Sequence, residues 1–348
     1  MPRETIEFDE IGYLMANPDV AAAVKAGAFS SGAEHYARVG IRENRSFSPS
    51  ERSPPLKLPF PVGSFASRRD KILANLELKA LEGLEIGALA SPLVSPTEGS
   101  ILYVDHADTI TLQRKYANQP TVDIEKIVHV SAVWGSNTLQ DCITNDKKLD
   151  YVVASHVAEH VPDLITWLSE VHSVLRPAGT LRLAIPDRRY TFDYLRFESR
   201  LHDVIDAFLR RARAPLPRLI MEHFSLFCEV DCAKAWDGTL DVANLRPSGS
   251  TQVALDAARN AMLTGTYYDT HCWVFTPMSF AELFTELAKL DLLRFSCTHY
   301  FDTARNEIEF FVHLSPSNDK DAIIFSWNAM RASLQSSGSS KQSARSQV

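Results

Sequence analysis

Two short apolar segments in the middle of the chain each end in a residue that could contact a nucleoside. Leu84–Ile86 is followed by Gly87, and Ile101–Val104 is followed by Asp105, which lies 20 residues after Glu85. On neighbouring parallel strands, a carboxylate at the second tip can accept hydrogen bonds from both ribose hydroxyls of an adenine nucleoside. Gly87 would let that ligand approach the backbone closely. The spacing therefore predicts a nucleoside site; the alternative is a turn glycine and a solvated aspartate.

A second group of reactive side chains follows the apolar segment Tyr151–Ala154. His156, Glu159 and His160 form an H-x-x-E-H pattern. On a helix these positions share one face, so both imidazoles could bind one metal ion, as in a class of zinc proteases. Pro162 follows closely and would keep such a helix short. We therefore predict no metal site and retain a zinc hydrolase as the less favoured alternative.

Two residues are candidates for a general base. Histidine titrates near neutral pH, and His156 comes directly after the fourth predicted strand. Asp187 follows the fifth, Leu181–Ile185, and open α/β sheets bind ligands at the carboxyl ends of their strands. The alternatives are that His156 only packs or caps, and that Asp187 caps the next segment.

The elements that must position these residues alternate between strand and helix. Apolar residues between Leu164 and Leu175 recur at helical spacing, and a second amphipathic helix covers Phe280–Leu290. Short apolar runs predict buried parallel strands, and the last two predict a hairpin. The pattern favours an α/β fold with a mostly parallel seven-stranded sheet and a C-terminal antiparallel hairpin. The predicted strands are Leu84–Ile86, Ile101–Val104, Ile127–Val133, Tyr151–Ala154, Leu181–Ile185, Leu293–Thr298 and Glu307–Leu314.

Five stretches resemble class I methyltransferases of the broad type 11 group, which use S-adenosylmethionine (SAM) and have a Rossmann-like fold. The similarity covers roughly residues 80–315, and its most specific part is the stretch from Asp150 to Gly179. The stretches are Leu84–Pro92, Tyr103–His106, Asp150–His160, Leu175–Gly179 and Ile185–Asp187.

The resemblance implies a set of cofactor contacts. Glu85, Gly87 and Ala88 would hold the methionine end of SAM, and Asp105 would hold the ribose. Ala154, Ser155 and His156 would lie beside the sulfonium and the acceptor.

The chain departs from this family in three ways. Gly87-Ala88-Leu89-Ala90 stands where the family has Gly-x-Gly, and only 13 residues separate Gly87 from Ser100, so the first helix must be short or absent. No acid that would contact adenine is evident after the third strand, where Asn137 or Ser136 could replace it.

An NAD enzyme needs a glycine-rich turn and a helix N-terminus for its pyrophosphate, and the chain lacks both.

The chain divides into four predicted parts. Residues 1–46 form a helical hairpin, residues 47–66 a proline-rich linker, and residues 67–316 the main domain. An insertion at about 188–277 mixes aromatic and charged residues, which suits a lid over a hydroxyl-rich acceptor. The serine-rich tail, 333–348, is predicted to be disordered.

The N-terminal hairpin also resembles a known module of about 40 residues. Phe8-Asp9-Glu10, Asn17-Pro18-Asp19, His35-Tyr36 and Glu43-Asn44-Arg45 are similar to a helical module of bacterial surface-polysaccharide and glycosyltransferase proteins. The similarity implies a bacterial source and a role in glycan biosynthesis. Docking to a protein partner is an equal alternative.

Composition excludes several classes of protein. A net charge of −7 and a pI near 5.9 argue against a general nucleic-acid or membrane-surface binder. Five cysteines without C-x-x-C spacing indicate free thiols in a reducing compartment. No apolar run suggests a signal peptide or a membrane span, so we expect a cytoplasmic protein.

These observations predict a SAM-dependent methyltransferase that O-methylates a saccharide or another small polar acceptor. The first alternative is a catalytically inactive SAM-binding module, because the glycine motif is weakened. The less favoured one is the zinc hydrolase based on residues 156–160.

Overall fold

The computed structural model describes residues 10, 13–14, 17–40, 42–43, 45, 67–135, 137–143 and 147–345, with side chains as far as residue 336. The chain forms two compact units, Met1–Pro59 and Phe60–Val348. The predicted linker, 47–66, lies outside the described residues. All five cysteines are free thiols, and none of the described helices is long and apolar enough to cross a membrane.

The first unit contains two helices where the sequence predicts them. Helix α1, Pro18–Lys25, begins with a proline whose fixed φ suits the first helical turn. It ends before Gly27, whose φ of +77° favours glycine. Helix α2, Gly32–His35, continues as a π-helical turn, Tyr36–Gly40. The relation of this hairpin to glycan-related modules stays a prediction.

A seven-stranded sheet is the centre of the second unit. Its order is β3-β2-β1-β4-β5-β7-β6; β1 to β5 are parallel, and β7 is antiparallel to both of its neighbours. The predicted α/β fold with a C-terminal antiparallel hairpin is confirmed. The strands are β1 Glu82–Ile86, β2 Ser100–Asp105, β3 Ala132–Val133, β4 Leu149–Ser155, β5 Leu175–Pro186, β6 Phe295–Phe301 and β7 Glu309–Pro316.

Helices pack against this sheet and bury the central strands. The predicted apolar face on Leu164–Val174 is confirmed: Trp167, Leu168 and Val171 are fully buried there, and the Asp163 side chain caps the helix by accepting from Thr166 N. The helices of this unit are α3 Arg68–Ile72, α4 Thr109–Tyr116, α5 Leu139–Cys142, α6 Leu164–Val174, α7 Leu201–Leu209, α8 Pro217–Leu226, α9 Cys232–Asp237, α10 Thr251–Thr264, α11 Pro277–Lys289 and α12 Lys320–Arg345.

Strand β3 is shorter than the predicted Ile127–Val133. Ile127 and Val130 pack with Leu112 of α4 in a small apolar cluster instead of facing the main core. Val128 N donates to Leu89 O, so this part of the segment pairs with a loop rather than with β2. The apolar run therefore predicted burial correctly but overestimated the length of the strand.

The predicted short or absent first helix is confirmed, because residues 88–99 contain turns and no helix.

In the predicted insertion, α8 and α10 pack through Ile220, Ala257 and Ala258. Helix α12 extends to Arg345 and so runs into the tail predicted to be disordered. The domain boundaries themselves stay predictions.

Candidate active site

A cavity of about 1320 Å³ opens at the carboxyl ends of the parallel strands, and we call it the strand-tip cavity. Sites for one small ligand typically measure 300–1,000 Å³, so this volume has room for a cofactor and an acceptor. The tips of β1, β2 and β4 form one side, and the insertion forms another. Lining residues include Gly87, Asp105, Ser155, His156, Leu209 and Tyr267.

Gly87 and Asp105 leave the sheet from adjacent parallel strands. Ile86 pairs with Val104 in the sheet, and Gly87 N donates to Val104 O at 2.9 Å. Gly87 has a φ of +71°, and a Cβ there would lie 3.0 Å from Cγ2 of Val157. Both the backbone conformation and the close neighbour therefore require glycine.

Asp105 is almost buried and offers one carboxylate oxygen to the strand-tip cavity. Its Oδ1 accepts from His106 N at 2.7 Å and lies 2.6 Å from Nδ1 of the same histidine. No contact among the described residues engages Oδ2. This geometry matches the predicted role of a ribose acceptor.

Four of the predicted cofactor residues do not line the strand-tip cavity: Glu85, Ala88, Ala154 and, as described below, Asn137. Glu85 is buried, and its carboxylate accepts from the backbone amides of Leu93 and Val94 at 2.8–3.1 Å. Burial raises the pKa of Glu85 to about 7, against the opposing effect of these two amides. The Glu85 carboxylate therefore binds the loop of residues 88–99, which stands where a first helix would be. The predicted contact between Glu85 and the cofactor is not seen in the lining of the cavity. Ala88 and Ala154 are buried behind the lining.

The predicted adenine contact also falls elsewhere. Asn137 is exposed and does not line the cavity, and Ser136 lies outside the described residues. Trp134, Gly135 and Thr138, on either side of it, do line the cavity. The position of Asn137 therefore gives the predicted adenine contact no support, while its neighbours in the same loop do reach the cavity.

His156 sits directly after β4 in an unusual backbone conformation. Its φ is +53°, a region that side chains other than glycine rarely adopt and that is often found at functional sites. The backbone is held there because His156 N donates to Ala184 O at 3.0 Å. The side chain lines the cavity as predicted.

A glutamate from the C-terminal hairpin orients His156. Nε2 of His156 lies 2.7 Å from Oε2 of Glu309, the first residue of β7. Glu309 is nearly buried, and Arg68 donates through Nε to its Oε1 at 2.5 Å and also contacts Ser155 Oγ. Burial would raise the pKa of Glu309, but His156 and Arg68 hold that pKa below its ordinary value.

The H-x-x-E-H pattern does not form the helical face that a zinc protease needs. Residues Ala158–His160 make a single 3-10 turn, and His156 precedes it with a left-handed backbone. Nδ1 of His156 lies 3.5 Å from Oε1 of Glu159. The zinc-hydrolase alternative, in the form proposed for this pattern, is therefore wrong.

Asp187 is not available as a base. It is fully buried, and its carboxylate accepts from Nε of Arg189 at 2.9 Å and from Oγ1 of Thr303 at 2.8 Å. It also caps the 3-10 turn Arg188–Tyr190. A position at a strand tip does not by itself make a ligand site, and the structure supports the alternative that Asp187 caps the next segment.

The insertion supplies Asp269, a partner for His160 that sequence reasoning missed. His160 and Asp269 both line the cavity, with Nδ1 2.9 Å from Oδ1. The close contact with His160 lowers the pKa of Asp269 to about 2, while burial opposes this effect. The insertion thus contributes polar groups to the site, although two of its clusters of aromatic and charged residues, Arg188-Arg189-Tyr190 and Glu222-His223-Phe224, do not line the cavity.

The chain was compared with curated proteins and with solved structures. No curated protein matches the chain. Similar solved structures include the CurJ carbon methyltransferase, with 12% identity over 71% of this chain and 51% of that one, at a TM-score of 0.34. The trans-methyltransferase CalH, in complex with SAH, shows 14% identity over 68% and 51%, at 0.33. A SAM-dependent methyltransferase from Methanosarcina mazei shows 17% identity over 70% and 95%, at 0.34.

The chain spans about half the length of the CurJ and CalH proteins that it resembles. A family model described as a methyltransferase domain matches residues 106–288, which is more than half of the chain. The matched range includes β4, β5, His156 and the whole insertion. This chain therefore belongs to the methyltransferase domain family, a family of SAM-dependent enzymes.

Proposed function

We propose that the chain binds SAM in the strand-tip cavity and transfers its methyl group to a hydroxyl of a small polar acceptor, with saccharides as the first class to test. The observation that carries this proposal is the adjacency of Gly87 and Asp105 at one edge of the cavity. A glycine that permits close approach and a carboxylate with a free oxygen suit an adenosyl group.

The cofactor would extend across the tips of β1 and β2. Oδ2 of Asp105 would accept from the ribose hydroxyls, and Gly87 would allow the methionine end to pass close to the backbone. Trp134 presents an indole to the same cavity, fixed by a hydrogen bond from Nε1 to Oε2 of Glu170 at 3.1 Å. An aromatic face of this kind can stack on adenine.

Methyl transfer needs alignment, exclusion of water and removal of one proton. Bound SAM would supply a methyl group already activated by its sulfonium, whose sulfur would keep the electron pair of the broken carbon–sulfur bond when the acceptor oxygen takes the methyl group. His156 can take the hydroxyl proton on Nδ1, because Nε2 carries its hydrogen toward Glu309. Glu309 then stabilises the imidazolium and fixes the ring orientation.

The far side of the cavity favours a polar acceptor. The lining includes four polar side chains: Lys115, His160, Arg213 and Asp269. A substrate rich in hydroxyls would find both hydrogen-bond donors and hydrogen-bond acceptors among them. The acidic balance of the whole chain gives no support to a nucleic-acid acceptor.

Two measurements test this function. Calorimetric titration with S-adenosylhomocysteine (SAH) should show one site per chain. Release of SAH from SAM should then be followed against panels of sugars, amines and carbon acids, and we expect turnover with hydroxyl acceptors. Failure to bind SAH would contradict the proposal. Binding with no turnover on any panel would favour the inactive SAM-binding module.

A further inference from the structure

Three side chains that can bind a metal ion meet at the inner edge of the strand-tip cavity. Glu159, His160 and His271 each offer one ligand atom, and these atoms all lie within 4.8 Å of one another. Backbone hydrogen bonds bring the two segments together, because Cys272 N and Trp273 N both donate to Glu159 O, at 2.6 and 3.1 Å. The cluster is therefore fixed by the main chain as well as by its side chains.

The carboxylate of Glu159 is the least satisfied polar group in this cluster. Its side chain is fully buried, and neither oxygen accepts a hydrogen bond from any described residue. Nδ1 of His156 lies 3.5 Å from Oε1 of Glu159. A buried carboxylate without hydrogen bonds is costly unless a cation compensates it.

A carboxylate lies close to each of the two histidines. Nδ1 of His271 lies 2.6 Å from Oδ2 of Asp193, and Nδ1 of His160 lies 2.9 Å from Oδ1 of Asp269. Metal-binding histidines typically donate their second nitrogen to a carboxylate, as Nδ1 of His271 can to Asp193, which leaves Nε2 of His271 for the ion. The approach of Asp269 to His160 is close but lacks hydrogen-bond geometry.

Asp193 is itself held in place by a buried arginine. Arg196 donates through Nη1 to Oδ1 of Asp193 at 2.8 Å and through Nη2 to the carbonyl of His271 at 2.9 Å. Arg196 therefore fixes the position of Asp193 beside His271.

We propose that Glu159, His160 and His271 bind one divalent transition-metal ion, for which zinc is the probe. Two imidazoles and one carboxylate form a ligand set that zinc accepts, with open positions left over. His160 lines the strand-tip cavity, so those positions are accessible from it. This inference replaces the sequence-based prediction of no metal site, and it uses His271 from the insertion where the sequence pattern had His156.

The rival explanation is that protonated histidines alone neutralise Glu159. Untagged full-length protein, treated with EDTA and dialysed, should be titrated with zinc chloride by calorimetry, and its metal content measured. We expect one zinc per chain and a rise in the melting temperature of the zinc-loaded protein. No binding and no change in melting temperature would overturn the proposal in favour of the rival.

Single variants locate the ion. Glu159→Gln, His160→Gln and His271→Gln should each weaken zinc binding at least about tenfold, whereas His172→Gln, which changes a half-buried histidine on α6, should not. Circular dichroism checks folding. If Glu159→Gln does not fold, His160→Gln decides the question, because that side chain is 31% exposed. If the folded Glu159, His160 and His271 variants bind zinc as tightly as the wild type, the ion lies elsewhere, for example on cysteines. That result would contradict the proposal.

The proposal stands apart from SAM binding. Asp105→Asn removes the expected ribose acceptor and leaves the cluster intact, so it should bind zinc like the wild type. Loss of SAH binding in that variant with zinc binding retained would therefore separate the two sites.

Discussion

Nε2 of His156 lies 2.7 Å from Oε2 of Glu309, although 153 residues separate them in the sequence. The contact exists because β5 lies between β4 and β7, so the tips of β4 and β7 are two strands apart at one edge of the sheet. It gives a histidine in the cavity the carboxylate partner that fixes its tautomer.

Glu309→Gln should lower turnover about 10- to 100-fold on the acceptor found by the panels, because the imidazolium formed during proton transfer loses its partner. SAH affinity should change little. The rate profile against pH should also move, which a purely structural role would not cause. Glu307→Gln, which removes an ion pair with Lys71 nearby, is the matched control. Equal losses in both variants would remove the proposed role of Glu309.

Asp105→Asn should weaken SAH binding by about 1.5–3 kcal/mol, since charge-assisted hydrogen bonds to the ribose are lost. Calorimetry measures this change. Asp108→Asn is the control, because Asp108 caps α4 three residues later and asparagine can keep the cap. If both variants bind SAH as the wild type does, Asp105 is not the ribose acceptor.

Gly87→Ala and Gly265→Ala form a second matched pair. Both glycines have a φ of +71°, but a Cβ at Gly265 meets nothing within 4 Å, whereas at Gly87 it lies 3.0 Å from Val157. Each variant should lose about 1–2 kcal/mol of stability from the left-handed backbone. Only Gly87→Ala should also lose SAH affinity. Denaturant unfolding and calorimetry measure the two effects, and unaltered SAH affinity in Gly87→Ala would argue against close approach of the cofactor.

The burial of Glu85 predicts a specific pH dependence of stability. Its pKa is raised from an ordinary 4.5 to about 7, so between these values the folded protein holds a proton that the unfolded chain has released. The free energy of unfolding should therefore fall as pH rises through this window, by up to about 3 kcal/mol from this residue. Above pH 7 its contribution should level off.

Urea unfolding at pH 5 and pH 8 checks this expectation. Glu85→Gln should lose the part of the pH dependence that the wild type owes to Glu85, and Glu125→Gln, an exposed control, should keep it. A Glu85→Gln protein with the same pH dependence as the wild type would contradict the assignment.

Local sequence signals were sufficient for the strand tips and the long helices. Gly87 and His156 directly follow buried strands and Asp105 is the last residue of β2, and the parallel sheet brings such positions to one end. Position at a strand tip misled the prediction at Asp187, because a carboxylate there can equally cap the next turn. The family resemblance misled it at Glu85, whose carboxylate binds loop amides.

Partners that come from distant segments could not be predicted. Glu309 lies on the C-terminal hairpin and His271 in the insertion, and no local pattern near His156 or Glu159 indicates either of them. The left-handed backbone of His156 has no sequence signature comparable to that of a glycine. A cytoplasmic location, a bacterial source and a protein partner for residues 1–46 stay predictions.

A crystal structure of the chain soaked with SAH tests the central claim most directly. We predict the ribose hydroxyls within hydrogen-bonding distance of Asp105, the adenine beside Trp134, and the sulfur facing Ser155 and His156. SAH bound away from the tips of β1 and β2, or absent from the strand-tip cavity at saturating concentration, would contradict the account.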